Sequence, residues 1–227
     1  MKISVIIPTR NEEENISQAI SRIRQTSDCN GIEIIVADGN STDRTVELTQ
    51  GIADKVIRVP QPGRAFQMQE GARVASGNLL LFLHADTRLP ADWKEQLAQA
   101  WSRSEKPAAT AFKLGFDSKK PFYRLLAWTA NLRTALTGVP LGDQAIAVSR
   151  EVFLRAGGFP PVPLMEEYLL CRKLKSLGRV VILPGKVATS VRRYERNGKL
   201  FNALRNAAIT VLFYLGVPPC SLARLYR

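Results

Sequence analysis

The sequence predicts an α/β fold: a mostly parallel central sheet with helices on both faces, in a single domain that ends in an amphipathic helix. Two patterns predict it. Short, largely apolar strands at Ile3–Ile7, Ile32–Ala37 and Leu79–Leu83 alternate with stretches of helical periodicity, as strands covered on both faces require. Polar residues then gather just past those strands, at Pro8–Glu12, Asp38–Ser41 and His84–Asp86, where sheets of this kind bind ligands.

Taken in order, the β-branched run Ile3–Ile7 closes at Pro8, and Asn11 is positioned to cap a helix with Glu12, Glu13 and Glu14 in its first turn. After the second strand, Ser41, Thr42 and Asp43 offer caps for a helix through about Gln50. Val56–Val59, a helix over Ala65–Ala75 and Leu79–Leu83 continue the alternation. The second half is less regular. It carries a helix over Asp92–Arg103, a strand near Thr110–Phe116, a helix over Phe122–Leu136, a strand at Gln144–Val148, a helix over Met165–Leu177 and a strand at Val180–Leu183. A last helix, Lys199–Leu215, aligns Phe201, Leu204, Ala208, Val211, Leu212 and Leu215 on one broad face.

The net charge of +12 is concentrated at one end: residues 172–227 hold 12 Lys/Arg against Glu195 alone. Such a tail suits a polyanion, an anionic membrane or a phosphorylated substrate. Beside an amphipathic helix it can lie on a membrane surface, or the helix can simply pack on the domain. Nucleic acid is disfavoured, because the arginines lack interleaved aromatic base platforms. Cys29, Cys171 and Cys220 are odd in number and His84 is the sole histidine, so neither a disulfide framework nor a zinc site is expected. Ala207–Val217, the longest apolar run, is about half of a spanning helix. No signal-peptide pattern is present, and a cytoplasmic protein is expected, peripheral to the membrane if the tail docks there.

Several residues could carry chemistry. Asp86 can hold Mg²⁺ or Mn²⁺ together with substrate phosphates, or serve as a turn residue before Pro90. Asp38 can accept a hydrogen bond from a base or ribose, or close an Asp-Gly-Asn turn. One of Glu166 and Glu167 can act as general base on an acceptor hydroxyl, or both can favour a helix start.

These segments together resemble the family 2 glycosyltransferases of the GT-A fold. Ile6-Ile7-Pro8 with Asn11-Glu12 is similar to the family's opening loop, and Asp38 to Asp43 to its base-recognition segment. Gly63 through Gly71 to Gly77 resembles the helix before the metal strand, Phe82 to Asp86 the Asp-x-Asp region, and Gly157-Gly158-Phe159 with Glu166-Glu167 the acceptor-side block. His84–Thr87 and Gly142–Gln144 resemble a bacterial subgroup of arsenosugar-type and diaponeurosporenoate-type glycosyltransferases, and Ser190–Tyr194 resembles a Gln-x-x-Arg-Trp segment. Two departures stand out: His84 replaces an aspartate, and Glu167 occupies a position commonly held by aspartate.

The resemblance implies a donor site of Pro8, Thr9, Asn11, Glu12, Asp38, Gly39, Arg64, His84, Ala85, Asp86 and Arg193, with Asp86 as metal ligand for Mg²⁺ or Mn²⁺. It implies an acceptor side of Gly142, Asp143, Gln144 and Tyr194, with Trp128 a weaker candidate. Glu167 is the implied base, with Glu166 or Asp143 as alternatives. The expected domain is 1–195, divided into a nucleotide-sugar half (1–90) and an acceptor half (91–195), followed by a basic helical segment (196–227). The expected activity is inverting transfer from a nucleoside-diphosphate sugar, UDP first, to a hydroxyl of a small-molecule or lipid acceptor. A nucleotidyltransferase would want a glycine- and lysine-bearing loop after the first strand, and a nicotinamide enzyme Gly-x-Gly-x-x-Gly; Pro8-Thr9-Arg10-Asn11 is neither. The alternative from another class is a non-catalytic polyanion- or membrane-binding module.

Overall fold

The structure, a computed structural model, describes residues 1–25, 30–61 and 63–226, so Cys29 lies outside the described residues. In chain order the elements are β1 (Ile3–Thr9), α1 (Ile16–Gln25), β2 (Ile32–Asp38), α2 (Thr45–Thr49), β3 (Lys55–Arg58), α3 (Arg64–Val74), β4 (Leu79–Phe82), β5 (Thr87–Arg88), α4 (Trp93–Trp101), β6 (Ala109–Lys113), α5 (Pro121–Thr137), β7 (Ile146–Ser149), α6 (Arg150–Arg155), α7 (Glu166–Leu177), β8 (Val180–Lys186), β9 (Ala188–Thr189), α8 (Arg192–Asn197), α9 (Lys199–Tyr214) and α10 (Pro219–Tyr226).

Seven strands form one sheet in the order β3-β2-β1-β4-β7-β6-β8, and β5 pairs with β9 in a small second sheet. β7 runs antiparallel to both β4 and β6, and every other pairing in the large sheet is parallel. All seven residues of β1 and of β2 are buried. Their alternation sends Ile3, Val5, Ile7, Ile34 and Val36 into one core with α1 and α4. Ile6 and Ile35 enter a second core with α3, α6 and α7. The sheet is thus covered on both faces, as the continuous apolar strands predict. Gly71 lets α3 lie close on β1, since a Cβ there would collide with Ile6.

At the strands' N-terminal end, Glu33 ties three segments together. It accepts hydrogen bonds from Ser4 Oγ at 2.5 Å and Ser76 N at 2.8 Å, and pairs with Lys55 at 2.9 Å.

Two expectations change, and a point left open in the sequence is decided in part. The first helix begins at Ile16 rather than after an Asn11 cap: Asn11 has φ 54° and bonds across to the second loop, receiving Thr42 N and donating its own N–H to Ser41. The strand expected from Gln144 starts at Ile146, because Gly142–Gln144 forms a 3₁₀ turn. The open point concerns α9: of its apolar stripe Leu212 packs on the domain, whereas Phe201, Leu204, Val211 and Leu215 are exposed. The helix is anchored by Ile209, with Leu222 of α10, on Tyr168, Cys171 and Ile146. Cys171 is a buried free thiol and Cys220 an exposed one.

Candidate active site

A cavity of about 350 Å³ opens beyond the C-terminal end of β4, where His84 and Asp86 line it. Its lining brings together eight of the residues expected from the sequence: Arg64, His84, Asp86, Gly142, Asp143, Glu167, Arg193 and Tyr194. They come from separate elements, so the fold rather than local sequence assembles the site.

Glu166 and Glu167 open α7, both buried, and part in role through their environment. Glu166 is ion-paired to Arg64 at 3.0 Å and is absent from the cavity lining. Glu167 lines it, with Oε1 buried and lacking a hydrogen bond, 3.5 Å from a His84 Nε2 that also lacks one. Burial and the neighbouring Glu167 charge push the Glu166 carboxyl up. Burial acts on Glu167 in the same sense, but the charge of Arg64 and the nearby His84 outweigh it and hold that carboxyl down. Such a pair titrates as a unit, its ionised form residing on Glu167. Asp143 is pushed up by burial, which favours its neutral form.

Gly142 leaves the space that Glu167 occupies: a Cβ there would collide with Glu167 Oε1 and lie 2.9 Å from His84 Nε2. Gln144 does not line the cavity. It is fully buried, receiving Thr134 Oγ1 at 2.9 Å and Leu141 N at 3.1 Å and donating to Phe112 O at 3.0 Å. Its side chain therefore fixes the turn that carries Gly142 and Asp143.

On the donor side, Pro8 and Thr9 end β1, and Asp38 ends β2 with 1% exposure. Asp38 accepts from Ser41 N at 2.9 Å, Thr9 Oγ1 at 3.2 Å and Ser41 Oγ, so here its oxygens organise the loop. Gly39 is in van der Waals conflict with anything larger than hydrogen, because Gln67 lies beneath it and donates to Thr9 O at 2.6 Å and Ala37 O at 2.9 Å. Glu12, buried, donates its backbone N–H to Thr45 Oγ1 at 2.8 Å, and its carboxylate faces Arg192 and Arg193 at 3.4 and 3.5 Å. Ala85 is buried beside Asp86. The described non-glycine residues with positive φ, Asn11, Asn40, Ala145 and Met165, all adjoin these segments, where sparsely populated backbone conformations tend to collect.

For a divalent ion the donor set is spare. No group of three or more His, Cys, Asp or Glu side chains able to hold a metal occurs among the described residues. Asp86 lines the cavity, its side chain 10% exposed, with Arg193 Nε 4.0 Å away. One carboxylate in a cavity fits an ion that takes its remaining ligands from diphosphate oxygens and water, as Mg²⁺ and Mn²⁺ do in phosphate chemistry.

Sequence reasoning missed one wall. Asn202, Arg205, Asn206, Ile209 and Thr210 of α9, with Tyr226 of α10, close the cavity. The signal was present as a polar stripe, Asn202, Arg205, Asn206 and Thr210, along one side of an otherwise apolar helix. Trp128, weighed for the acceptor side or for the core, serves neither: it is 60% exposed and outside the lining.

The model of glycosyl transferase family 2 matches residues 4–153. The chain belongs to that family. It is 34% identical over 133 residues to a dolichol-phosphate mannosyltransferase of Pyrococcus furiosus, covering 56% of this chain and 38% of that protein. It is 27% identical over 190 residues to a 4,4'-diaponeurosporenoate glycosyltransferase of Staphylococcus haemolyticus, covering 79% and 48%. The chain thus spans less than half the length of either relative. Among solved structures, glucosyl-3-phosphoglycerate synthase of Mycobacterium tuberculosis, in complex with Mn²⁺, UDP and glucosyl-3-phosphoglycerate, superposes with a TM-score of 0.65 at 24% identity, over 96% of this chain and 81% of that one. S. aureus TarS with UDP-GlcNAc gives 0.65 at 18%, over 84% and 58%. The family 2 chain therefore has the GT-A fold.

Proposed function

We propose that this family 2 protein transfers a sugar, with inversion, from a nucleoside-diphosphate sugar, UDP first among the nucleotides, to a hydroxyl of a small-molecule or lipid acceptor. The observation that carries the reading is Glu167: a buried carboxylate oxygen without a hydrogen-bond partner, in the same cavity as Asp86 and Arg193. Donors in complex with the neighbouring structures include UDP-GlcNAc and, in a Pyrobaculum calidifontis mannosyltransferase with Mn²⁺, GDP-Man.

In this reading residues 1–90 hold the donor, residues 91–195 the acceptor, and the segment 196–227 completes the acceptor wall. Glu167 takes the proton of the acceptor hydroxyl. The acceptor oxygen then bonds to the anomeric carbon as the bond from that carbon to the diphosphate oxygen breaks. One displacement inverts the centre. Arg193 pairs with the departing diphosphate, for which a guanidinium's paired donors are suited. A Mg²⁺ or Mn²⁺ held by Asp86 would supply charge neutralisation for the same leaving group. Arg64 keeps Glu166 paired, so that of the two adjacent glutamates it is Glu167 that faces the cavity and serves as base. Tyr194 stacks edge-on against Phe116 and Tyr123, at 5.8 and 6.0 Å, and borders the acceptor.

The test is nucleotide release from UDP- and GDP-sugars in the presence of a lipid extract and a panel of small hydroxylated acceptors. Release that depends on both donor and acceptor, and that Glu167→Gln removes, is the expected result. Release undiminished in that variant would overturn Glu167 as base.

A further inference from the structure

Two helices turn apolar faces to solvent. On α5, Leu125, Trp128, Leu132 and Leu136 recur at helical spacing and are 43–79% exposed. On α9, Leu200, Phe201, Leu204, Val211 and Leu215 are 57–76% exposed. Together these nine account for more than half of the exposed large hydrophobic residues among the described residues, an accumulation that isolated surface residues do not produce. The two helices begin at one ion-pair cluster: Lys120, which precedes α5, and Lys199, which opens α9, both bind Glu195, at 3.0 and 3.2 Å.

Charge selects the occupant. Residues 118–142, which contain α5, and residues 196–227, which contain α9, hold no acidic residue, whereas Lys119, Arg124, Arg196 and Arg224 lie among them. Glu195, between the two segments, is already engaged by Lys120, Lys199 and Tyr123. A second copy of this chain would set cations against cations. No helix among the described residues is long and apolar enough to cross a membrane.

We infer that α5 and α9 together form a docking face for an anionic lipid bilayer, lying in its interface with their apolar sides in the acyl boundary and their cations at the headgroups. The opposite side of α9, Asn202, Arg205 and Asn206, is a wall of the cavity, so docking would hold the cavity beside the lipid surface. No residue of the two apolar faces lines the cavity, and the inference stands independently of the transfer reaction.

The chain carries its own reporter. Trp93 and Trp101 are buried at 0% and 8% exposure, while Trp128 is exposed. The full-length protein is mixed with vesicles of phosphatidylcholine alone or of phosphatidylcholine and phosphatidylglycerol in equal parts, and binding is read by co-sedimentation and by tryptophan emission. Expected are binding that favours the anionic vesicles and a blue shift that Trp128→Phe removes. Leu125→Gln/Leu132→Gln and Phe201→Gln/Leu204→Gln should each weaken binding about tenfold, and Arg196→Gln and Arg224→Gln about fivefold each, with circular dichroism and calorimetric UDP binding unchanged. Equal binding to both vesicles, no blue shift, or binding undiminished by the two glutamine pairs would overturn the inference. So would a stable dimer in solution that those pairs dissociate. Loss of UDP binding alone would bear on the transfer reading and leave this one standing.

Discussion

Glu167 Oε1 and His84 Nε2, both buried, lie 3.5 Å apart at the wall of the cavity, and neither has a hydrogen-bond partner. Buried polar atoms are normally satisfied, and each exception calls for an account. In the proposed site the account would be an acceptor hydroxyl that donates to the carboxylate and accepts from the imidazole.

Replacement of that carboxylate gives the first prediction. Glu167→Gln keeps the volume and removes the base, and should lower kcat by about 10² to 10⁴ with nucleotide affinity retained. Single-turnover kinetics beside nucleotide titration separates the two. Glu166→Gln, whose carboxyl pairs with Arg64 and does not line the cavity, should act mainly through stability and leave a larger residual rate.

Gly142→Ala inserts a methyl group where Glu167 and His84 sit. Either the carboxylate shifts or the 3₁₀ turn does. Overpacking of this kind costs about 1–3 kcal/mol, and displacement of a catalytic group by about 1 Å can cost roughly 10²-fold in rate. Thermal denaturation and kcat measured on the same preparation should show a rate loss larger than the stability loss explains.

Glu33 supplies a control away from the chemistry. Burial opposes its ionisation, but hydrogen bonds from Ser4 and Ser76, with Lys55 beside it, hold its carboxyl down at about 2. A carboxylate with a depressed folded-state value stabilises fully above its unfolded value and loses that contribution as pH falls towards the folded value. The contribution is present in full above about pH 4.5 and is lost between there and about pH 2. Urea denaturation of wild type and Glu33→Ala across this window should converge at the acid end. Rate per folded molecule at neutral pH should be unchanged.

The sheet was legible in Ile3–Ile7, Ile32–Ala37 and Leu79–Leu83 because strands buried on both faces leave little choice of residue. Glu33 and Ser4 interrupt that pattern by pairing with each other. The cavity's carboxylates, Asp86 and Glu167, were legible as polar residues at element boundaries. What escaped was the inside of the tail helix: periodicity in α9 finds an apolar stripe but does not say whether protein or solvent covers it. The two-residue strands β5 and β9 escaped for another reason, since their single short ladder joins Thr87–Arg88 to Ala188–Thr189, about a hundred positions away, and leaves no local pattern. Gln144 looked like an acceptor contact because it follows Gly142 and Asp143; only the fold reveals that it turns inward to Thr134 and Phe112.

Gln67 tests the donor loop. By donating to Thr9 O and Ala37 O it joins the ends of β1 and β2 beneath Gly39. Gln67→Ala leaves two buried carbonyls without this donor, a loss of about 1–3 kcal/mol. In the proposed site it should raise KM for the donor more than it lowers kcat, a split that steady-state kinetics resolves.

The most direct test of a metal-assisted nucleotide-sugar site is calorimetric titration of the protein with UDP and GDP, with and without Mn²⁺, beside Asp86→Ala. Binding of one nucleotide that requires the metal and is lost in the variant is the predicted result. Binding that is indifferent to Mn²⁺ or to Asp86, or no binding to either nucleotide by a folded protein, would contradict it.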